Sequence, residues 1–456
     1  MLFPTFTFIL AFLPVTAIIY FLLAKRNILL SRLWLLVMSF IFYSWFNWSY
    51  SLILGASILG NWFFALLLKK NPRRAVFILG VILNILLLGY FKYYDFFVEN
   101  INALFGTSLL LKHILLPLGI SFFTFQQISF LQLVYTGSLA KDYSFSSYAL
   151  FVSFFPQLIA GPIVLPDEMM SQFDKPENSR PNGENIARGL YTFALGLGKK
   201  ILLADFFAEM ADAGFAAANG EFFSSWQSAL AYTCQIYFDF SGYCDMAVGI
   251  GWIFNIKLPQ NFNAPYLAAN IRDFWRRWHI TLGRFLTGSI YIPLGGSRCS
   301  TARCCLNLLI TFFISGLWHG ASWLFVLWGM LHGFALVIHR LREKFIKVKM
   351  PLIPARLLTF FFTVIAWVAF RAADFAQAKS IWRGMFIPES WEKFALSGRD
   401  AALFIAAAVI ITCTKPVYEL SEKFRPTWVN AVITTALLIV SMFFFVKVSP
   451  FIYFNF

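Results

Sequence analysis

Residues 1–24 carry no Lys, Arg, Asp, Glu or His, and residues 33–68 carry none either. A membrane-spanning helix needs about 20 mainly apolar residues, so the first stretch predicts one span. The second is long enough for two short ones, broken around Asn47-Trp48-Ser49. Further apolar segments lie near 75–91, 114–134, 146–165, 189–203, 224–254, 305–339, 356–371, 400–414 and 427–447. Several are interrupted, as at Pro117-Leu118-Gly119 and Gly161-Pro162. Such breaks are tolerated at membrane depth where protein or a wet cavity covers the freed backbone. The pattern predicts an all-α polytopic membrane protein with about 11–13 crossing or re-entrant helices.

Two stretches depart from that pattern. Residues 166–188 are the most polar and read as a loop or interfacial helix. Residues 257–303 are basic, aromatic and punctuated by Gly and Pro: too charged to span, too apolar for a free loop, hence interfacial or re-entrant. With no solenoid-period repeat or low-complexity tract, residues 1–456 read as one membrane domain. Residues 1–26 lack a basic leading region and a small-residue cleavage site, so they read as a retained span and not a signal peptide.

Composition narrows the class. The chain is 59% hydrophobic and 13% charged, against roughly a quarter charged in soluble proteins, and its mean hydropathy is +0.69. A water-soluble enzyme, a secreted disulfide scaffold and a disordered regulator are excluded. The net charge of +15 is mostly topological. Lys25, Arg26 and Arg32 follow the first span, the turn from Phe46 to Ser51 is uncharged, and Lys69, Lys70, Arg73 and Arg74 fill the next turn. By the positive-inside rule this places the N-terminus outside and both basic turns in the cytoplasm. Arg298 and Arg303, then Arg340, Arg342, Lys344, Lys347 and Lys349, form later basic clusters. No basic stretch alternates with exposed aromatics on a polar background, so nucleic acid is not a partner. The six cysteines show no CxxC pair and no Cys/His ligand spacing, so neither a metal site nor disulfides are expected.

Candidate chemistry centres on five histidines. His113 and His339 lie beside Lys112 and Arg340 and read as interfacial anchors; His332 reads as a packed polar contact between helices. His319 differs. From Cys304 to Ile338 there is no Lys, Arg, Asp or Glu, and His319 lies roughly 24 Å of helix from Arg303 and about 30 Å from Arg340. An ionisable group at that depth is a functional hypothesis by default, and a neutral imidazole is the usual general base for an alcohol. The bland alternative is a buried His bonded to a helix carbonyl. Gly316 and Gly320 would let a substrate or another backbone approach.

His279 belongs to the run 271–285, IRDFWRRWHITLGRF. If helical, Trp275 and His279 share a face and Asp273 pairs with Arg277 at i,i+4. Arg272, Arg276 and Arg284 then remain as cations that either hold the phosphates of a nucleotide-like donor or anchor the helix to anionic lipid. Asp239 and Asp245 sit in apolar sequence and need partners, for which the arginines of 272–284 are the favoured choice. Tyr237, Ser241 and Tyr243 add hydroxyls for a polar cavity.

These residues carry a resemblance. The segments are PLGISFFTFQQISF at 117–130, YALFVSFFPQLIAGPI at 148–163, QIYFDFSGYCDMAVGIG at 235–251, LPQNFNAPYLAANIRDFWRRWHITLGRFLTGSIYIPLGGSR at 258–298, FFISGLWHGASWLFVLWGMLHG at 312–333 and SPFIYFNF at 449–456. Together, in order, they resemble the membrane-bound O-acyltransferase (MBOAT) superfamily, in the branch of the bacterial alginate O-acetyltransferase membrane subunit. The resemblance implies a helix bundle around a central tunnel, with N-terminal helices in 1–112, a catalytic core in 113–340 and C-terminal helices in 350–456. It implies His319 as catalytic histidine and His279 as its companion, Trp275, Arg276, Arg277 and Trp278 at the donor site, and Tyr237, Asp239, Ser241 and Trp318 as tunnel lining. IPLGG at 292–296 favours polysaccharide acetylation over teichoic-acid D-alanylation, while Leu286-Thr287-Gly288 replaces an Arg-Asp pair of many relatives.

The expected reaction takes an acetyl group from a cytoplasmic thioester, acetyl-CoA, through the protein to an extracytoplasmic envelope polysaccharide of the alginate, peptidoglycan or cellulose type. The resemblance further implies a bacterial inner-membrane location and a separate esterase-like partner that modifies the glycan. Acetyl-CoA enters as a substrate; no bound cofactor is expected. The rival classes are D-alanyl transfer and a flippase of an envelope precursor. A flippase would show paired inverted repeats and carboxylate pairs near the midplane, whereas the sequence shows no repeat and its deep titratable group is a lone His.

Overall fold

A computed structural model describes the chain except residues 160, 347–349, 389, 391–395, 446–448, 450 and 453–456. Lys347, Lys349 and most of the terminal motif at 449–456 thus lie outside the described residues. Those described are mainly helical, with no strand among them. Six helices are long and apolar enough to cross a membrane: Thr7–Ala24, Trp48–Lys70, Arg74–Phe105, Thr301–His319, Trp323–Phe345 and Leu352–Arg371. Ile28–Ser44 and Trp428–Met442 are shorter apolar helices. The protein is an all-α, multi-pass membrane protein. Several other apolar segments are built from shorter pieces, such as Phe145–Ser153 followed by Phe155–Leu158.

Local chemistry explains the breaks. The uncharged stretch 33–68 divides at Asn47, whose side chain accepts the Ser49 N–H at 2.9 Å and starts the helix Trp48–Lys70. The segment at 114–134 becomes helical only from Ile120, because Gly119 stands at φ +71. A Cβ there would meet the Leu158 carbonyl oxygen at 2.5 Å. His113, expected to open this span, is exposed and lies before it in non-helical chain.

The chain gathers into two compact units. The first comprises Met1–Ala194, Cys244–Pro259 and Phe424–Ala436. Its core includes Phe8, Phe12, Phe42 and Phe155, with Phe12 and Phe155 edge-on at 5.3 Å. Arg32 reaches Asp174 at 2.7 Å and Ser147 at 2.8 Å.

The second unit comprises Leu195–Tyr243, Gln260–Lys423 and Leu437–Phe456. Its centre is a hairpin of Thr301–His319 and Trp323–Phe345 joined by residues 320–322. Ser300 starts the first helix by accepting the Arg303 N–H, and Ser322 starts the second through Leu324 N–H. The two helices pack backbone to backbone: a Cβ on Gly329 would lie 3.0 Å from the Gly316 Cα. Any larger residue there would push the hairpin apart.

Candidate functional site

The run 271–285 is not one helix. Ile271–Arg277 ends when Trp278 turns extended and His279 takes φ +45, ψ 52, after which Ile280–Leu286 begins. Asp273 and Arg277 pair at 2.8 Å as their spacing predicts. The break separates Trp275 from His279, so the expected shared face does not form. Asn261 holds the turn: its Oδ1 accepts the Thr281 N–H and hydroxyl and contacts His279 Nδ1 at 3.2 Å. With an oxygen as partner, the proton of His279 sits on Nδ1 and Nε2 carries the lone pair. His279 is fully buried, its ring 4.8 Å from Phe240, and burial lowers its pKa to about 3.

His319 closes the first helix of the hairpin and is 2% exposed. Its ring meets Trp318 and Trp328 at 4.8 Å each and Phe370 at 5.1 Å. Trp318 also meets His279 at 6.0 Å, so one indole is the common neighbour of both histidines. Gly316 and Gly320 admit no open space: a Cβ on either would collide with Phe325. Their smallness serves helix packing.

Two cavities flank this centre. One, of about 1070 Å³, is lined by Arg272, Arg276, Arg284, Arg340 and Lys344, with Trp275 and Phe312 in its wall. It lies along the hairpin ends remote from the turn, where Arg272 pairs with Glu343 and contacts His339 Nε2 at 3.2 Å. The other, of about 370 Å³, lies at the turn and is lined by Ser322, Phe325, Phe370, Arg371, Asp212 and Gln235.

The remaining expected residues are placed as follows. Trp275 and Arg276 line the basic cavity. Arg277 is engaged by Asp273 and is not among the lining residues, and Trp278 is buried 4.9 Å from Trp367. Asp239 does not pair with the arginines of 272–284. Its partner is Lys200 at 2.9 Å, which also holds Asp205 at 2.6 Å and Ser449 at 2.8 Å. Asp245 is buried in the first unit. Tyr237 packs edge-on or tilted among Phe262, Tyr266 and Trp278, and Ser241 accepts from Lys199 at 3.4 Å.

Sequence reasoning missed Asn261, Lys200, Trp328 and Phe370. Asn261 meets His279, Lys200 meets Asp239 and Phe370 meets His319 across long stretches of chain, while Trp328 reaches His319 across the hairpin turn. It also assigned Arg340 and Lys344 to topology alone. Their spacing with Leu336, at i, i+4 and i+8, marks one helix face, and that face lines the basic cavity.

A family model described as MBOAT, membrane-bound O-acyltransferase family, matches residues 79–375. The chain is 42% identical to the peptidoglycan O-acetyltransferase of Helicobacter pylori, across 100% of this chain and 98% of that protein. It is 38% identical to the probable alginate O-acetylase AlgI of Pseudomonas aeruginosa, across 90% of this chain and 81% of the other. The teichoic acid D-alanyltransferase of Bacillus subtilis is 27% identical across 50% of this chain and 60% of its own length.

Proposed function

Because the chain belongs to the membrane-bound O-acyltransferase family, we propose that it acetylates an extracytoplasmic envelope polysaccharide from a cytoplasmic thioester. Two relatives matched along most of their length are named for O-acetylation of peptidoglycan and of alginate. The D-alanylating relative matches half of this chain, which favours acetyl over D-alanyl transfer.

The observation that carries the reading is the position of His319. A buried imidazole stands between a basic cavity and a second cavity at opposite ends of one helical hairpin. Guanidinium groups bind phosphate oxygens in bidentate fashion, and the basic cavity gathers four arginines and a lysine. It suits the phosphates of acetyl-CoA. The acceptor hydroxyl enters from the cavity at the turn. His319 takes the hydroxyl proton as the oxygen attacks the thioester carbonyl; the C–S bond breaks and the proton passes to the departing thiolate. His279, with its lone pair on Nε2, is the companion base across Trp318. CoA stays on the cytoplasmic side while the acetyl group leaves on the other. The acceptor hydroxyl belongs to an esterase-like partner that hands the acetyl group to the glycan. In this reading the chain lies in the bacterial inner membrane, and the basic turns at 25–32 and 69–74 support an N-terminus outside.

Replacing His319 with Ala tests this directly. Glycan O-acetylation in cells should disappear while the protein remains in the membrane at its normal level. Normal acetylation in that variant would overturn the assignment.

A further inference from the structure

Trp275 stands in two places at once. It lines the basic cavity, and its ring lies 4.9 Å from Phe312 and 5.8 Å from Trp328. Trp328 is fully buried and touches His319 at 4.8 Å. Two indoles in contact therefore separate the cavity from the imidazole.

The first indole is fastened from behind. Its Nε1–H donates to His332 Nδ1 at 3.2 Å. His332 is fully buried against rings of Trp328 at 4.9 Å and Phe362 at 5.3 Å. No charged side chain is among its described ring or hydrogen-bond partners. Since Nδ1 accepts, the proton of His332 sits on Nε2, the opposite tautomer to His279. Breaking this bond leaves a buried acceptor without its donor, so the indole keeps one orientation.

We propose that Trp275, held by the positioning residue His332, limits the length of the acyl group that passes from the basic cavity to His319. This rests on the reading of that cavity as the thioester site. A two-carbon acyl group adds little bulk beyond the thioester itself. Each further methylene has to displace a ring that His332 restrains. Discrimination per methylene in apolar pockets runs at about 10–200-fold, enough to keep butyryl and longer groups from His319.

The test uses the full-length protein in proteoliposomes together with the esterase-like partner that supplies the acceptor hydroxyl, with acetyl-, butyryl- and hexanoyl-CoA as probes and thiol release as readout. Wild type should favour acetyl. Trp275→Ala should raise the butyryl-to-acetyl ratio of kcat/KM by about 10–200-fold. His332→Phe keeps a ring but loses the acceptor, and should raise the ratio by about tenfold. His332→Asn, whose Oδ1 accepts the indole N–H, should restore the wild-type ratio. Trp275→Phe removes the N–H and one of the two fused rings; it should raise the ratio in the same direction by a smaller factor, and serves if the alanine variant does not fold. Unchanged ratios in variants that still release thiol would overturn the gate alone. Failure of wild type to use any of the three thioesters would overturn the thioester site and the gate with it.

Discussion

Asn61 and Asn84 in the first unit exchange side-chain hydrogen bonds of 3.1 and 2.6 Å, and each also donates to a carbonyl of its own helix. Nearby, Gln127 donates to Ser57 and accepts from Tyr148. In the second unit, His279 and His332 each engage one ring nitrogen, and Nε2 of each has no hydrogen-bond partner among the described residues. Both regions bury polar groups among apolar ones, but the amides are closed on one another and have no charge to gain. The imidazoles are surrounded by ring faces and keep a lone pair or a proton in reserve. Burial of polar groups is thus a structural device in one region and a chemical one in the other.

The largest effect is expected where the second unit departs from its own pattern. Lys200, Asp205 and Asp239 form a closed ionic cluster that behaves like the amides, not the imidazoles. Lys200→Met strands the buried Asp239 and the partly buried Asp205 and should cost about 3–5 kcal/mol, read as a fall in the unfolding midpoint of the solubilised protein. An unchanged midpoint would mean that the cluster is not closed.

A smaller effect sharpens the contrast in the first unit. Asn61→Leu leaves the Asn84 amide short of its partner and should cost about 1–3 kcal/mol. The double replacement with Asn84→Leu should recover most of that, with thiol release from acetyl-CoA unchanged throughout. Loss of turnover at full stability would give the amides a chemical role and erase the distinction.

The smallest effect is on pH dependence. His279 has its pKa lowered by burial to about 3, against about 6.5 in the unfolded chain. The unfolded state therefore binds the proton first as pH falls below 6.5, and the stability from the neutral buried ring is lost progressively from there toward 3. Lowering the pH from 7.5 to 5.5 should remove about 1 kcal/mol by this route. The loss should be shallower in His279→Asn; an identical slope would show that the ring is hydrated.

Much of this was legible in the chain. Charge-free stretches located the long spans, Asn47 marked the break between two of them, and the isolation of His319 from every Lys, Arg, Asp and Glu on its hairpin singled it out. Other parts were not. A helical reading of 271–285 put Trp275 and His279 on one face because i,i+4 spacing carries no sign of a left-handed residue at His279, where Asn261 supplies the reason. Asp239 was paired with the wrong cations because Lys200 lies 39 residues upstream, and spacing along the chain says nothing of which helices meet.

Hydropathy and charge, being properties of local composition, determined by themselves that the chain crosses a membrane several times and that an imidazole would be deeply buried. What surrounds that imidazole was decided by packing. Trp318 became the shared neighbour of two histidines 40 residues apart, and Trp275 became the wall of a cavity fastened by His332. Such contacts depend on close approach of helices at glycines and on the filling of space by rings, which arise only when the chain is folded upon itself.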